Sequence, residues 1–111
     1  MATKFNSLFH GTEPFSDTAP QLALAANVAL TYTVPGANSV QYRVEFDWAY
    51  DANVWVALNS TATVPTAGTI SPNSRSVLRP KYKYVRGGDV LSFISGAIVS
   101  NAGFELFELY S

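Results

Sequence analysis

Residues 39–50 place the strongest constraint on the fold. Val40, Tyr42, Val44, Phe46, Trp48 and Tyr50 alternate there with Gln41, Arg43, Glu45, Asp47 and Ala49. Large residues at every second position, with mostly polar ones between, follow the period of a strand with one buried face. Upstream, Leu22, Leu24, Ala26, Val28, Leu30, Tyr32 and Val34 keep the same spacing. The Ala and Leu content of 21–30, following Pro20, would also suit a helix. The alternation runs on unbroken into Thr31-Tyr32-Thr33-Val34 and stops at Pro35-Gly36-Ala37-Asn38, which favours a strand ended by a turn.

Downstream of Tyr50, Asp51-Ala52-Asn53 reads as a tight hairpin connection into Val54-Trp55-Val56-Ala57-Leu58. Short strands are expected at 61–64, 69–70 and 76–78, separated by Pro65, Gly68 and Pro72. Residues 82–85 lead through Gly87-Gly88-Asp89 into 90–95, then 97–99, and Asn101-Ala102-Gly103 introduces a last strand over 104–110. Short strands punctuated by turn residues every ~8–12 positions predict an all-β antiparallel sandwich or barrel, jelly-roll-like. Residues 1–20 keep no period, yet contain Phe5, Leu8, Phe9 and Phe15. They are expected to form an extended N-terminal arm that docks onto something, ahead of a domain over 21–111.

At 111 residues the chain suits one domain. It has no Cys, which excludes thiolate metal sites, disulfides and thiol nucleophiles. Charged residues make up only 14 %, against a typical ~25 %. A surface so poor in charge is expected to be partly covered by another chain. The formal charge of −1 offers no global attraction to nucleic acid or an anionic membrane. No apolar run approaches a spanning helix, and Met1-Ala2-Thr3-Lys4-Phe5-Asn6-Ser7 lacks the apolar core of a secretory signal, so synthesis in a cytoplasm is expected.

Residue types that carry chemistry are sparse. His10 is the one histidine and lies in the arm, away from any well-placed carboxylate. Glu45 and Asp47 share a strand face about 7 Å apart by the strand rise, a separation that suits a glycosidase pair. Arg43 on the same face makes a solvated, charge-offset surface the simpler reading. Asp47, Asp51 and Asn53 lack the acidic density and glycine of a Ca²⁺ loop. Gly87-Gly88-Asp89 has no following Lys-Ser/Thr and no helix, so it reads as a turn and not a phosphate cradle. Asn59-Ser60-Thr61 matches a glycosylation sequon but is short enough to arise by chance. No catalytic, cofactor-binding or metal-binding residue is assigned.

Binding residues are easier to nominate. Five of the seven cations, Arg75, Arg79, Lys81, Lys83 and Arg86, fall in one stretch interleaved with Tyr82 and Tyr84. The alternation predicts a strand with one charged face and one aromatic core face. As a solvated face it needs no partner, and as a patch it would orient docking onto an acidic protein surface; single-stranded nucleic acid ranks behind both. If Val54, Val56 and Leu58 face the core, Trp55 points outward, as an interface anchor or a sugar platform, unless a second layer covers it. In the last strand Phe104 and Leu106 lie on one face, and Phe107 and Leu109 on the other. A strand apolar on both sides is expected either inside the domain or at a dimer seam, and a small sandwich favours the seam.

Length, absence of Cys, the arm-like N-terminus and the Tyr/Val-rich strand pattern resemble the small cement (staple, decoration) proteins of tailed-phage heads, especially those of epsilon15-like short-tailed phages. The resemblance covers the whole chain in size and strand pattern, with no short motif of its own. The segment Val85-Arg86-Gly87-Gly88-Asp89-Val90-Leu91 also resembles the turn-into-strand of other jelly rolls. The resemblance implies a jelly roll that dimerises on the capsid exterior and clamps neighbouring major capsid protein subunits against internal DNA pressure. It implies no enzyme, cofactor or metal, and no nucleic-acid, membrane or small-molecule partner. The competing readings are a carbohydrate-binding module of a phage tail fibre, using Trp55, Trp48 or Tyr50, and a small hydrolase using Glu45 and Asp47.

Overall fold

The computed structural model describes residues 3–5, 15–49, 52–68, 70 and 75–109. Nine strands follow in chain order: β1 Thr3–Phe5, β2 Gln21–Leu24, β3 Leu30–Thr33, β4 Gln41–Asp47, β5 Val54–Leu58, β6 Val77–Leu78, β7 Tyr82–Arg86, β8 Val90–Ser95 and β9 Val99–Leu109. No helix occurs among the described residues. One sheet runs β1-β9-β4-β7, with β2 also paired to β9; the other runs β3-β8-β5-β6. All pairings are antiparallel except that of β1 with β9. The expected all-β sandwich is the fold.

The alternation in β4 does what its period demands. Tyr42 and Val44 are buried and Phe46 is half-buried, while Gln41 and Asp47 are exposed. Opposite residues of paired strands share a face, so Val44 meets Leu106 and Phe46 meets Phe104 on the inner side. The second sheet contributes Val54, Val56, Leu91 and Phe93 to the same core. Aromatic rings knit the layers: Phe93 stacks on Phe104 at 5.4 Å, and Tyr32 meets Phe104 edge-on at 5.0 Å. Trp48 closes one end, stacked on Phe46 at 5.4 Å with its indole N–H donating to the Pro80 carbonyl at 2.7 Å.

Several expected connections differ. The run 21–34 is two strands in different sheets, because the chain turns at Ala25–Val28 with Asn27 at φ 61 and its N–H donating to the Ser95 carbonyl. The link between β4 and β5 is no hairpin: β4 pairs with β7 and β9, β5 with β6 and β8, so this link crosses between sheets. Tyr50 and Asp51 lie outside the described residues, as does Thr69. The stretch 61–64 is not a strand. Its backbone is satisfied by hydroxyls instead, Ala62 N–H donating to Ser92 Oγ at 2.9 Å and Thr63 N–H to Ser76 Oγ at 3.1 Å. This segment lies over the outer side of β5 and β8, where Ala57 and its register partner Ser92 are buried. Finally, β9 runs unbroken through Asn101-Ala102-Gly103. Gly103 is there because a Cβ would sit 2.8 Å from the Pro20 carbonyl oxygen, a close backbone approach that only glycine permits.

Candidate functional site

The acidic candidates are spread along an outer face. Arg43, Glu45 and Asp47 alternate with the buried side of β4, and Arg43 Nη2 pairs with Glu45 Oε1. Glu45 stands opposite Glu105 of β9, and Glu105 Oε2 in turn accepts the Ser16 N–H at 2.8 Å. Two like-charged carboxylates facing one another, each with a donor of its own, make a neutralised surface patch. No group of three or more His, Asp or Glu side chains converges as a metal site among the described residues. His10 lies outside them. Burial pushes the Tyr32 and Tyr42 phenols up from their ordinary value, with Tyr42 in the first case and Glu108 in the second adding to the effect. Glu108 is inward-facing by register with Tyr42, and its Oε2 is buried without a hydrogen-bond partner among the described residues. This carboxylate went unnoticed in the sequence, although it shares the parity of Phe104 and Leu106.

The basic stretch folds differently from expectation. In register, Tyr84 faces Arg43 and Tyr82 faces Glu45, which puts both tyrosines on the outer face; they are 63 % and 51 % exposed. The aromatic side is therefore not a core face. Tyr82 and Tyr84 meet edge-on at 6.4 Å, and the Arg43 guanidinium lies 4.8 Å above the Tyr82 ring. Lys83 is the inward-facing residue, opposite Val44, yet it is exposed. It escapes burial because β7 is an edge strand, beside which the space between the sheets opens sideways. There Phe46, Val56, Val77, Pro80, Val85 and Leu91 line an apolar slot of about 210 Å³ that Arg75 and Lys83 also border. Arg75, Lys81 and Arg86 are exposed, while Arg79 is half-buried with Nη2 3.4 Å from the Ala49 carbonyl. Of the five cations, Arg75 and Lys83 thus share the slot, and Arg86 shares the outer face of the tyrosines.

Trp55 does point outward, opposite Leu78 and Ile94, and is half-buried. Trp48 is half-buried at the end of the core, with one ring face stacked on Phe46. A shallow groove of about 500 Å³ on the other sheet brings Phe15, 95 % exposed, near Gln21, Asp47, Asn101 and Glu105.

The described ends of the arm serve the protomer's own sheet. Phe5 pairs in register with Leu109, and farther along Leu106 N–H donates to the Thr18 carbonyl at 2.9 Å. Leu8 and Phe9 lie outside the described residues, as does the Phe5 side chain. The C-terminal strand corrects the proposed dimer seam. Phe104 and Leu106 are core residues, and Phe107 on the opposite face is also fully buried within one protomer. Sandwiched on both sides, these three have no surface to give a second copy; only Leu109 is half-exposed. Comparison with protein-family models, with curated proteins and with solved structures finds no match.

Proposed function

We propose that the chain is a capsid cement protein, a dimeric jelly roll that binds the outer surface of a tailed-phage head and clamps neighbouring major capsid protein subunits against DNA pressure. The observation that carries this reading is the basic, tyrosine-bearing edge at β7. Exposed Tyr82, under the Arg43 guanidinium, and exposed Tyr84, edge-on to it, form with Arg86 a surface of residue types enriched at protein interfaces, and Lys81 and Lys83 add charge beside it. The strand order supports the jelly-roll part. From β2 to β9 the chain crosses between sheets at every step except β5 to β6, so that β2-β9-β4-β7 faces β3-β8-β5-β6, as two interlocked Greek keys require. The carboxylates add weight against catalysis, because Glu45 is paired with Arg43 and the facing Glu105 accepts the Ser16 N–H, so each is tied to a donor of its own.

The test is co-sedimentation of the purified chain with heads of an epsilon15-like phage that lack it, together with the temperature at which those heads release DNA. Saturable binding at fixed stoichiometry and a raised release temperature are expected. Absence of both would refute the assignment. Removal of residues 1–20 is not a clean probe, since β1 and Thr18 both pair with β9.

A carbohydrate-binding module of a tail fibre keeps one supporting observation, the groove where exposed Phe15 meets Asp47, Asn101 and Gln21. Aromatic stacking beside carboxylate and amide groups suits a sugar ring. Glycan-array binding lost in Phe15→Ala, with no affinity for heads, would favour that reading.

A further inference from the structure

Among the described residues no strand covers the β7 edge of the β1–β9–β4–β7 sheet, and the chemistry of that edge is specific. Phe46 N–H donates to the Lys81 carbonyl at 2.9 Å and Gly87 N–H to the Val40 carbonyl at 3.0 Å. Antiparallel strands turn alternate residues toward each neighbour, so Lys83 and Val85 also direct their backbone groups at β4. Tyr82, Tyr84 and Arg86 direct theirs away from it. Asp89 Oδ2 accepts the Arg86 N–H at 2.9 Å, and Arg86 O accepts the Asp89 N–H at 3.1 Å. Tyr82 and Tyr84 therefore present their N–H and C=O groups outward, with no described strand beside them.

We propose that β7 is a docking strand: an extended acidic segment of a partner protein, carrying one apolar anchor, adds to its free edge. This rests on the protein-binding reading above and names the surface and the chemistry of the partner. Strand addition draws affinity from main-chain hydrogen bonds and specificity from pockets that take alternate side chains. Both are present. The two outward backbone pairs supply the first. The apolar slot of about 210 Å³ beside Val85 supplies the second, on the side to which residues opposite Lys83 or Val85 would point.

Charge sets the sign of the partner. No acidic residue lies between Asp51 and Asp89, while Arg75, Lys81, Lys83 and Arg86 are all exposed there and make no ion pair with a described residue. A second copy pairing through its own β7 would set these cations against one another, the usual defence of a native edge against self-pairing. A nucleic acid would use the cations and the rings, but would leave the outward N–H groups and the apolar slot without a role. An acidic peptide uses all four features.

The probe is a fluorescein-labelled peptide of sequence Glu-Glu-Glu-Phe-Glu-Glu-Glu, which carries one apolar anchor and puts carboxylates on both faces, compared with its Lys-for-Glu counterpart and with oligo-dT by anisotropy at low salt. Two variants accompany the full-length chain. Tyr84→Pro removes one outward N–H and leaves the β4 ladder intact. Lys81→Glu with Lys83→Glu reverses exposed charge without touching the core.

The acidic peptide is expected to bind, to protect the Tyr82 and Tyr84 amides from hydrogen exchange, and to lose about tenfold or more in affinity in each variant. Equal binding by the Lys peptide or by oligo-dT overturns the proposal. So does protection of those amides by raised protein concentration alone, which would make a second copy the occupant. If the chain ignores phage heads yet binds the acidic peptide with these signatures, the capsid assignment falls and the docking strand stands. If it binds heads, and both variants bind them equally with the Tyr82 and Tyr84 amides unprotected, the docking strand falls and the capsid assignment stands.

Discussion

Replacing Phe107 by Ala separates a sealed protomer from a half-exposed one. Phe107 is fully buried although it lies on the outer side of β9, opposite Arg43 of β4 and Thr3 of β1. Truncating a buried Phe removes its transfer free energy and leaves a cavity, together worth about 3–5 kcal/mol. For a domain of this size each kcal/mol lowers the melting temperature by about 4 °C, so a fall of about 12–20 °C is expected. Urea unfolding followed by tryptophan fluorescence is the assay, run at low and high protein concentration. The midpoint should drop with an unchanged slope, and the stability difference should be the same at both concentrations. A loss below about 1 kcal/mol would mean that the ring is solvated in the free chain and that the burial argument fails. A difference that grows with protein concentration would mean that a second copy covers Phe107, restoring the seam.

Three further perturbations test the packing. In Gly87→Ala the new Cβ would lie 2.2 Å from the Ala37 carbonyl oxygen and 2.6 Å from Gly36 C, both backbone atoms. A loss of about 3 kcal/mol is expected in the same unfolding assay, and a neutral result would show that the two turns do not pack together. Ser92→Ala leaves the buried Ala62 N–H without its acceptor, so about 1–3 kcal/mol should be lost. The Ala62 amide should also exchange faster, and unchanged exchange would contradict the hydroxyl contact. Burial, then Glu108, raises the Tyr42 pKa above 10.0, so folding favours the neutral phenol. Its share of stability is complete below about pH 10 and is lost as pH climbs through the raised folded value. Melting temperature should therefore fall at alkaline pH, and Tyr42→Phe should flatten that fall in part, with Tyr32 supplying the remainder. An identical alkaline slope in the variant would refute the assignment.

Strand identity was legible wherever one face is buried and the other wet. β4 and β5 follow their alternation, and the outward direction of Trp55 follows from the parity of Val54 and Val56. Periodicity says nothing about which sheet a strand joins, so the crossings after Leu24 and after Asp47 were missed. A residue in the left-handed region such as Asn27 marks the first crossing, but Asn is too common in sequences to be diagnostic. Assigning Tyr82 and Tyr84 inward rested on their alternation with Lys81 and Lys83, with the charged face taken as the wet one. At an edge strand that argument fails, because Lys83 can face inward and still reach water past the sheet margin. Gly103 was read as a break, whereas it permits contact with Pro20; a strand glycine is consistent with either until the neighbouring chain is known. The seam was inferred from an outer face taken to be wet. Phe107 is instead closed off within the protomer, on a strand whose free edge the unpatterned N-terminal segment helps to occupy.

That segment bears on how the two edges of the sheet differ. On the β9 side, β2 occupies the edge over Val99–Gly103, Thr18 bonds at Leu106, and β1 adds a parallel strand at Phe107–Leu109. The chain satisfies this edge with its own short segments, joined by backbone bonds. Nothing comparable closes the β7 side among the described residues, although its outward groups at Tyr82 and Tyr84 are of the same kind. Two physical solutions exist for an uncovered edge, charge that repels like strands or a partner that completes the ladder. Charge alone accounts for Lys81 and Lys83. It does not account for two exposed tyrosines meeting edge-on, one of them under an arginine, nor for an apolar slot that no described residue fills, since both give up burial that a purely defensive edge would keep. A complementary strand that brings acidic groups and one apolar anchor resolves both features at once. The β7 edge is therefore the first place to look for the contact by which this domain works.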